Sequence, residues 1–187
     1  MRVFVVTPPQ PVVSLDEAKA HLRVEGGDED LQIAAFVAAA TGHIDGPDGW
    51  LGRAIGPQML EARCSSGDCG CAVRLPFPPV IELVSASYLD SSGVEQMADA
   101  DDFEIMGRDL VAVSGAWPWT AGSPRREGVR IRYRAGYETV PAPIKAAILL
   151  MVGDLYRNRE TVSAGAMTAV PMSTTVQALL GPFRVFG

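Results

Sequence analysis

The densest set of reactive side chains is Cys64-Ser65-Ser66-Gly67-Asp68-Cys69-Gly70-Cys71, three thiols and a carboxylate within eight residues. Such a set can ligate Zn²⁺, but structural zinc sites usually draw ligand pairs from two separated places, and the chain has no other cysteine. The residues read as a glycine-rich hairpin loop with reduced thiols, and metal binding by Cys64, Cys69 and Cys71 stays open at this level. His21 and His43 have no acid at a fixed spacing that would make a triad or a metal pair, so they read as surface or capping residues. Asp99-Ala100-Asp101-Asp102 lacks the spacing and closing Glu of a calcium loop and reads as a solvated turn. Phosphate-binding, zinc-protease and nucleophile-elbow motifs are absent. No catalytic residue, metal ligand or cofactor is assigned, and a small enzyme with an unrecognised site is kept only as an alternative.

The basic residues concentrate in Arg125-Arg126 with Arg130, Arg132 and Arg134. On a strand the last three share one face and could meet phosphate or an acidic partner; solvent-facing residues of a half-buried sheet are the plainer reading. The opposite bias appears at Val185 and Phe186, an apolar tail that calls for a groove or a neighbouring subunit.

The elements that position these residues follow from periodicity. The clearest helix lies in Val140–Glu160, with Pro143 at its start and Ile144, Ile148, Met151 and Leu155 on one face. Gly153 in its interior suggests close approach of another backbone. Upstream, Pro8, Pro9 and Pro11 make residues 1–13 an extended arm. Ser14 and Glu17 form a capping box for a short helix carrying Leu15, Ala18 and Leu22. A second helix, capped by Asp28 or Asp30 and reaching Ile44, has Ile33, Phe36, Val37, Ala40 and Ile44 on one face. Leu31, Ala34, Ala35 and Ala38 form a smaller one, so it must be deeply buried or lie against another subunit.

From Gln58 the period becomes that of strands: 58–64, 72–75, 80–89 with Val84, Ala86 and Tyr88 on one side, 94–97, 103–106, 110–113 and 129–133. Residues 161–171 lack a period and are expected to be mobile, and Ser173-Thr174-Thr175 caps a last helix, 176–180. The expected class is α+β: mainly a helical bundle from 12–46 and 140–187, with a β-rich insertion at about 57–137, in one domain.

At 187 residues the chain suits a single domain, and its net charge of −6 gives it no overall attraction for DNA. Its longest apolar run is too short for a membrane span. No secretory signal is read, and three clustered cysteines point to a reducing compartment.

Five stretches, in this order, resemble the tailed-phage head–tail connector (adaptor) family, which includes prophage and gene-transfer-agent members. They are PVVSLDEAKAHLRVEGGDEDLQIAAFVAAA, VRLPFPPVIELVSASYLDSSG, VRIRYRAGY, VPAPIKAAILLMVGDLYRNRE and VQALLGPFR. Leu15, Ala18, Lys19, Leu22 and Arg23 match the family's first helix, and Asp30 and Leu31 open its second. Thr41-Gly42-His43 and the Cys64–Cys71 loop depart from the pattern.

The resemblance implies a non-enzymatic virion protein assembled in the bacterial cytoplasm, forming a ring of about twelve copies beneath the portal. The ring would continue the DNA channel, which DNA passes without specific binding, and present a platform to stopper or tail proteins. The residues expected on the portal or a neighbouring subunit are Val176, Leu179, Leu180, Pro182, Phe183, Arg184, Val185 and Phe186. A subunit interface is expected at Phe36, Val37, Tyr156, Arg157 and Arg159. Deleting Val176–Gly187 is expected to leave a folded protein that no longer joins heads. A stopper or tail terminator would share the ring logic and contact different neighbours.

Overall fold

The computed structural model describes residues 1–68, 70–119, 125–158 and 172–186. The expected mobile segment 161–171 therefore lies outside the described residues, as do Cys69 and Arg159. The chain divides into two units, Met1–Gln10 with Arg53–Glu138 and Pro11–Gly52 with Thr139–Gly187.

The first unit holds eight described strands: β1 (Arg2–Thr7), β2 (Gln58–Cys64), β3 (Val73–Arg74), β4 (Val80–Leu89), β5 (Glu95–Ala98), β6 (Phe103–Met106), β7 (Asp109–Ala112) and β8 (Val129–Ala135). An antiparallel sheet runs β1-β2-β8-β4-β5, and a smaller one runs β3-β7-β6. Strict alternation sorts β8: Val129, Ile131, Tyr133 and Ala135 are buried, and Arg130, Arg132 and Arg134 take the other face. Leu60, Ala62 and Cys64 of β2 join the buried side, with Val73 and Leu110 from the smaller sheet and Leu75 just after β3. Into this core goes Trp119, stacked on Trp117 at 5.0 Å and on Phe103 at 5.5 Å between ring centroids. The Trp117 indole N–H donates to the Gly70 carbonyl at 2.7 Å. Trp119 is a core residue of the unit, and the half-buried Trp117 packs against it.

The turn Asp90–Gly93 is held by the Asp90 carboxylate, which accepts from the Ser92 hydroxyl, Gln96 Nε2 and the Val94 N–H. These bonds stabilise the charged form and pull the Asp90 pKa down to about 2. Asp99 caps the turn Ala100–Asp102 by accepting from the Asp101 N–H.

The second unit contains α1 (Leu15–Leu22), α2 (Asp30–Ile44), α3 (Ala142–Arg157) and α4 (Thr174–Leu180). Its interior is built from Ala18, Ile33, Val37, Ala40, Ile44, Ile144, Ala147, Ile148, Val152, Val176 and Leu180. Ser14 and Glu17 make both bonds of the capping box on α1, and Ser173 caps α4 through the Val176 N–H. Among the described residues no helix is long and apolar enough to cross a membrane.

Several expectations need correction. Among the described residues helix and strand are nearly balanced, at 33% and 27%, so the fold is mixed α/β with antiparallel sheets and not mainly a helical bundle. Neither Asp28 nor Asp30 caps α2: the N-cap is Glu29, and the Asp30 carboxylate pairs with the Lys19 ammonium at 2.6 Å. Val84 is exposed while Ala86 and Tyr88 face the core, because the register of β4 against β8 shifts between Leu83 and Ser85. Helix α3 buries Ile144, Ala147, Ile148 and Val152, which turns Met151 and Leu155 toward the edge of the buried stripe. A Cβ at Gly153 would meet the His21 imidazole at 3.5 Å, so its neighbour is a side chain and not another backbone.

Candidate functional site

Two surfaces left unspent by folding are where this chain can meet a partner. Among the described residues no group of three or more His, Cys, Asp or Glu is placed to hold a metal ion. Cys64 is buried at the end of β2 and Cys71 is exposed. His21 and His43 are both exposed.

Helix α2 provides the first surface. Its two apolar faces have different fates. Ile33, Val37, Ala40 and Ile44 are buried, and Phe36 is half-buried. The opposite face, Leu31, Ala34, Ala35, Ala38 and Ala39, is open, with Leu31 91% exposed. A solvated leucine beside four alanines is a low-relief apolar strip that another helix can approach closely. Lys19 fixes the start of this helix, since its ammonium bonds both Asp30 and the Gly26 carbonyl and so ties the α1–α2 turn together. Glu29 is tied in the same way, accepting from the Tyr156 hydroxyl of α3 at 2.5 Å.

The second surface is the segment after α4. Val176 and Leu180 are fully buried and Leu179 is half-buried. Gly181–Phe183 form a 3₁₀ turn. The chain then runs back along its own unit: the Val185 N–H donates to the Leu51 carbonyl at 2.8 Å. The guanidinium of Arg184 lies 4.1 Å from the Trp50 ring centre and 4.8 Å from that of Phe186. Gly52, at φ +62°, is what allows this approach, because a Cβ there would sit 2.5 Å from the Val185 carbonyl oxygen.

The residues expected at interfaces are therefore unequally available. Val37, Val176 and Leu180 are spent inside their own unit and present no surface to a partner. Leu179, Phe183 and Val185 are half-buried, and Pro182, Arg184, Phe186 and Arg157 are exposed. Phe36 is half-buried, and Tyr156 is half-buried and engaged with Glu29. Trp50, which stacks against Arg184, is a partner that the sequence did not mark. Its proximity to Arg184 comes from residues 134 apart in the chain, for which no local signal exists.

The basic cluster is largely paired. Glu61, with a side chain 4% exposed, takes both Arg63 and Arg132, while Arg130 pairs with Glu95 and Arg134 with Glu82. Burial alone would raise the Glu61 carboxyl, but the hydrogen bonds from Arg132 and Arg63 outweigh it and hold its pKa below the usual value.

No protein-family model matches the chain, and no curated protein matches it. Solved structures do. A chain in the neck of an empty gene transfer agent (GTA) particle, computed with C6 symmetry, is similar with a TM-score of 0.79 and 22% identity, over 100% of this chain and 97% of that one. A chain of the virion of a native GTA particle gives 0.77 and 22% over the same shares. One from the neck of a native GTA particle, computed with C12 symmetry, gives 0.68 and 20%, again over 100% and 97%. At these identities the likeness is one of fold, and this chain has along its whole length the fold of proteins from the necks and virions of gene transfer agent particles.

Proposed function

We propose that this chain is a structural, non-enzymatic component of the neck of a phage-like particle, of the head–tail adaptor type. It assembles side by side into a ring beneath the portal, and the ring joins head to tail and lets DNA pass. The observation that carries this reading is the likeness of fold over the full length to chains of GTA necks, two of them computed with C6 and C12 symmetry. The open face of α2 supports it independently. A leucine and four alanines held in water on a helix that already buries its other face suit a contact repeated between neighbours. A ring requires a heterologous contact, in which one surface of each copy meets a different surface of the next. The α2 strip is one such surface, and the exposed residues Pro182, Arg184 and Phe186 are offered to the portal or to a neighbour.

The test is the mass of the protein by light scattering, alone and after mixing with the portal protein of its own particle. A ring-sized assembly, or a stoichiometric portal complex visible by electron microscopy, is the expected result. A protein that stays monomeric and passes the portal by, while binding tail components, would replace the adaptor reading with that of a stopper.

A further inference from the structure

The antiparallel register of the larger sheet places arginines directly opposite one another on three neighbouring strands. Arg2 of β1 is the partner of Arg63 of β2, and Arg63 is the partner of Arg130 of β8. Direct partners project on the same face, so the three arginines stand in register across the end of the sheet, their backbone positions spanning about 10 Å at the usual strand spacing. Like charges in register disfavour the sheet, and here there are two such pairs in succession. Arg126 adds a fourth cation at the same end. With Met1, Arg2, Arg63, Cys64, Ser65 and Glu127 it lines an open depression of about 440 Å³.

The nearby carboxylates compensate only in part. Glu127 reaches Arg2 at 3.3 Å, Glu95 reaches Arg130 at 3.3 Å, and Glu61 is shared between Arg63 and Arg132. Among the described residues no carboxylate lies within 4.0 Å of Arg126. Five arginines thus face three glutamates at this end of the sheet, a local excess of positive charge in a chain whose net charge is −6.

We propose that the Arg2–Arg63–Arg130 row, together with Arg126, is an anion site that takes the phosphodiester backbone of nucleic acid without reading its bases. A nucleic-acid strand carries a phosphate on every nucleotide, an unbroken line of charge that can meet more than one arginine of the row at once. An extended peptide carries carboxylates on one face only where its sequence supplies them, whereas the phosphodiester backbone is charged at every unit. Guanidinium forks suit phosphate oxygens, and contacts made to phosphate carry no base information. The site goes beyond the ring reading and does not depend on it, since ring formation is judged by mass and this site by affinity.

The experiment is fluorescence anisotropy of labelled single-stranded and duplex DNA oligonucleotides with the full chain, from about 25 to 200 mM salt. The variants are Arg126→Gln and Arg2→Gln, both at exposed positions, with Arg74→Gln of β3, also exposed, as control. Binding at low salt is expected, weakened about fivefold by each of the first two variants and unchanged by the control. Each of those two variants also lowers the slope of log affinity against log salt by about one. Absence of binding at about 25 mM salt, or equal affinity in all the variants, overturns the proposal. Tighter binding of polyglutamate than of DNA of equal charge also overturns it and points to an acidic protein partner.

Discussion

Arg132 donates its Nε–H to Glu61 Oε2 at 2.7 Å from the neighbouring strand, and it does so at a carboxylate whose side chain is almost wholly buried. Arg63, two residues along the same strand as Glu61, closes the other oxygen at 2.6 Å. This shared ion pair is the electrostatic hinge between β2 and β8. Replacing Glu61 with Gln leaves two guanidinia facing each other without a counter-charge. Both are partly exposed, so the cost is discounted from that of a fully buried pair to about 2 kcal/mol. The pH dependence has a definite sign. The folded pKa lies below the ordinary value of 4.5, so the stabilisation is complete above that value and is lost as pH falls through the folded pKa. Urea unfolding of wild type and Glu61→Gln from pH 7 down to acid should show curves that converge as Glu61 protonates.

Two glycines should respond in opposite ways to alanine. Gly136 has φ +120°, and a Cβ there would lie 2.2 Å from the Gly56 carbonyl oxygen. Its own N–H is committed to the Pro79 carbonyl at 2.8 Å, and the next residue, Tyr137, to Ile55, so neither backbone can retreat. Gly136→Ala should cost at least about 4 kcal/mol and appear as loss of soluble, folded protein. Gly153, in the middle of α3, would place a methyl in ordinary contact with His21. Gly153→Ala should raise stability by about 0.5–1 kcal/mol, read as a higher thermal midpoint.

Leu31 separates folding from assembly. It is solvated on α2 and contributes little to its own unit. Leu31→Glu places an acid in the first turn, where the helix dipole favours it, and should change stability by less than about 0.5 kcal/mol. If the α2 strip is a subunit contact, the same variant should fail to form rings or to join the portal. Normal assembly of Leu31→Glu would remove α2 from the interface.

The C-terminal segment divides into a structural part and an outer part. Deleting residues 176–187 removes the fully buried Val176 and Leu180 and opens the α3 surface beneath them, a loss of roughly 5 kcal/mol. That is comparable to the stability of a whole domain, so this deletion should unfold the second unit rather than leave a folded protein without its partner. Deleting only 182–187 removes the Val185–Leu51 bond and the Arg184 stack on Trp50, about 1–2 kcal/mol, and should leave a folded chain by circular dichroism. Only the shorter truncation tests whether the segment after α4 binds a partner.

Local signals in the sequence determined most of the elements of this fold. Ser14 and Glu17 announce α1 because a capping box is made by residues three apart, and alternation in 129–135 announces β8 because side chains on a strand change face at every residue. The two-faced apolar pattern of α2 is equally local, and sequence alone limited it to deep burial or an unfilled contact. Tertiary structure decided which: one face went into the unit with Ile33 and Ile44, and Leu31 was left in water. It also decided what no short-range rule carries. The bulge in β4 reversed the role of Val84, and Trp119 became core because Phe103 and Trp117 arrive beside it. Arg184 found Trp50, and three arginines came into register across β1, β2 and β8. Periodicity fixes which side of an element is apolar; only the pairing of distant segments fixes what that side meets.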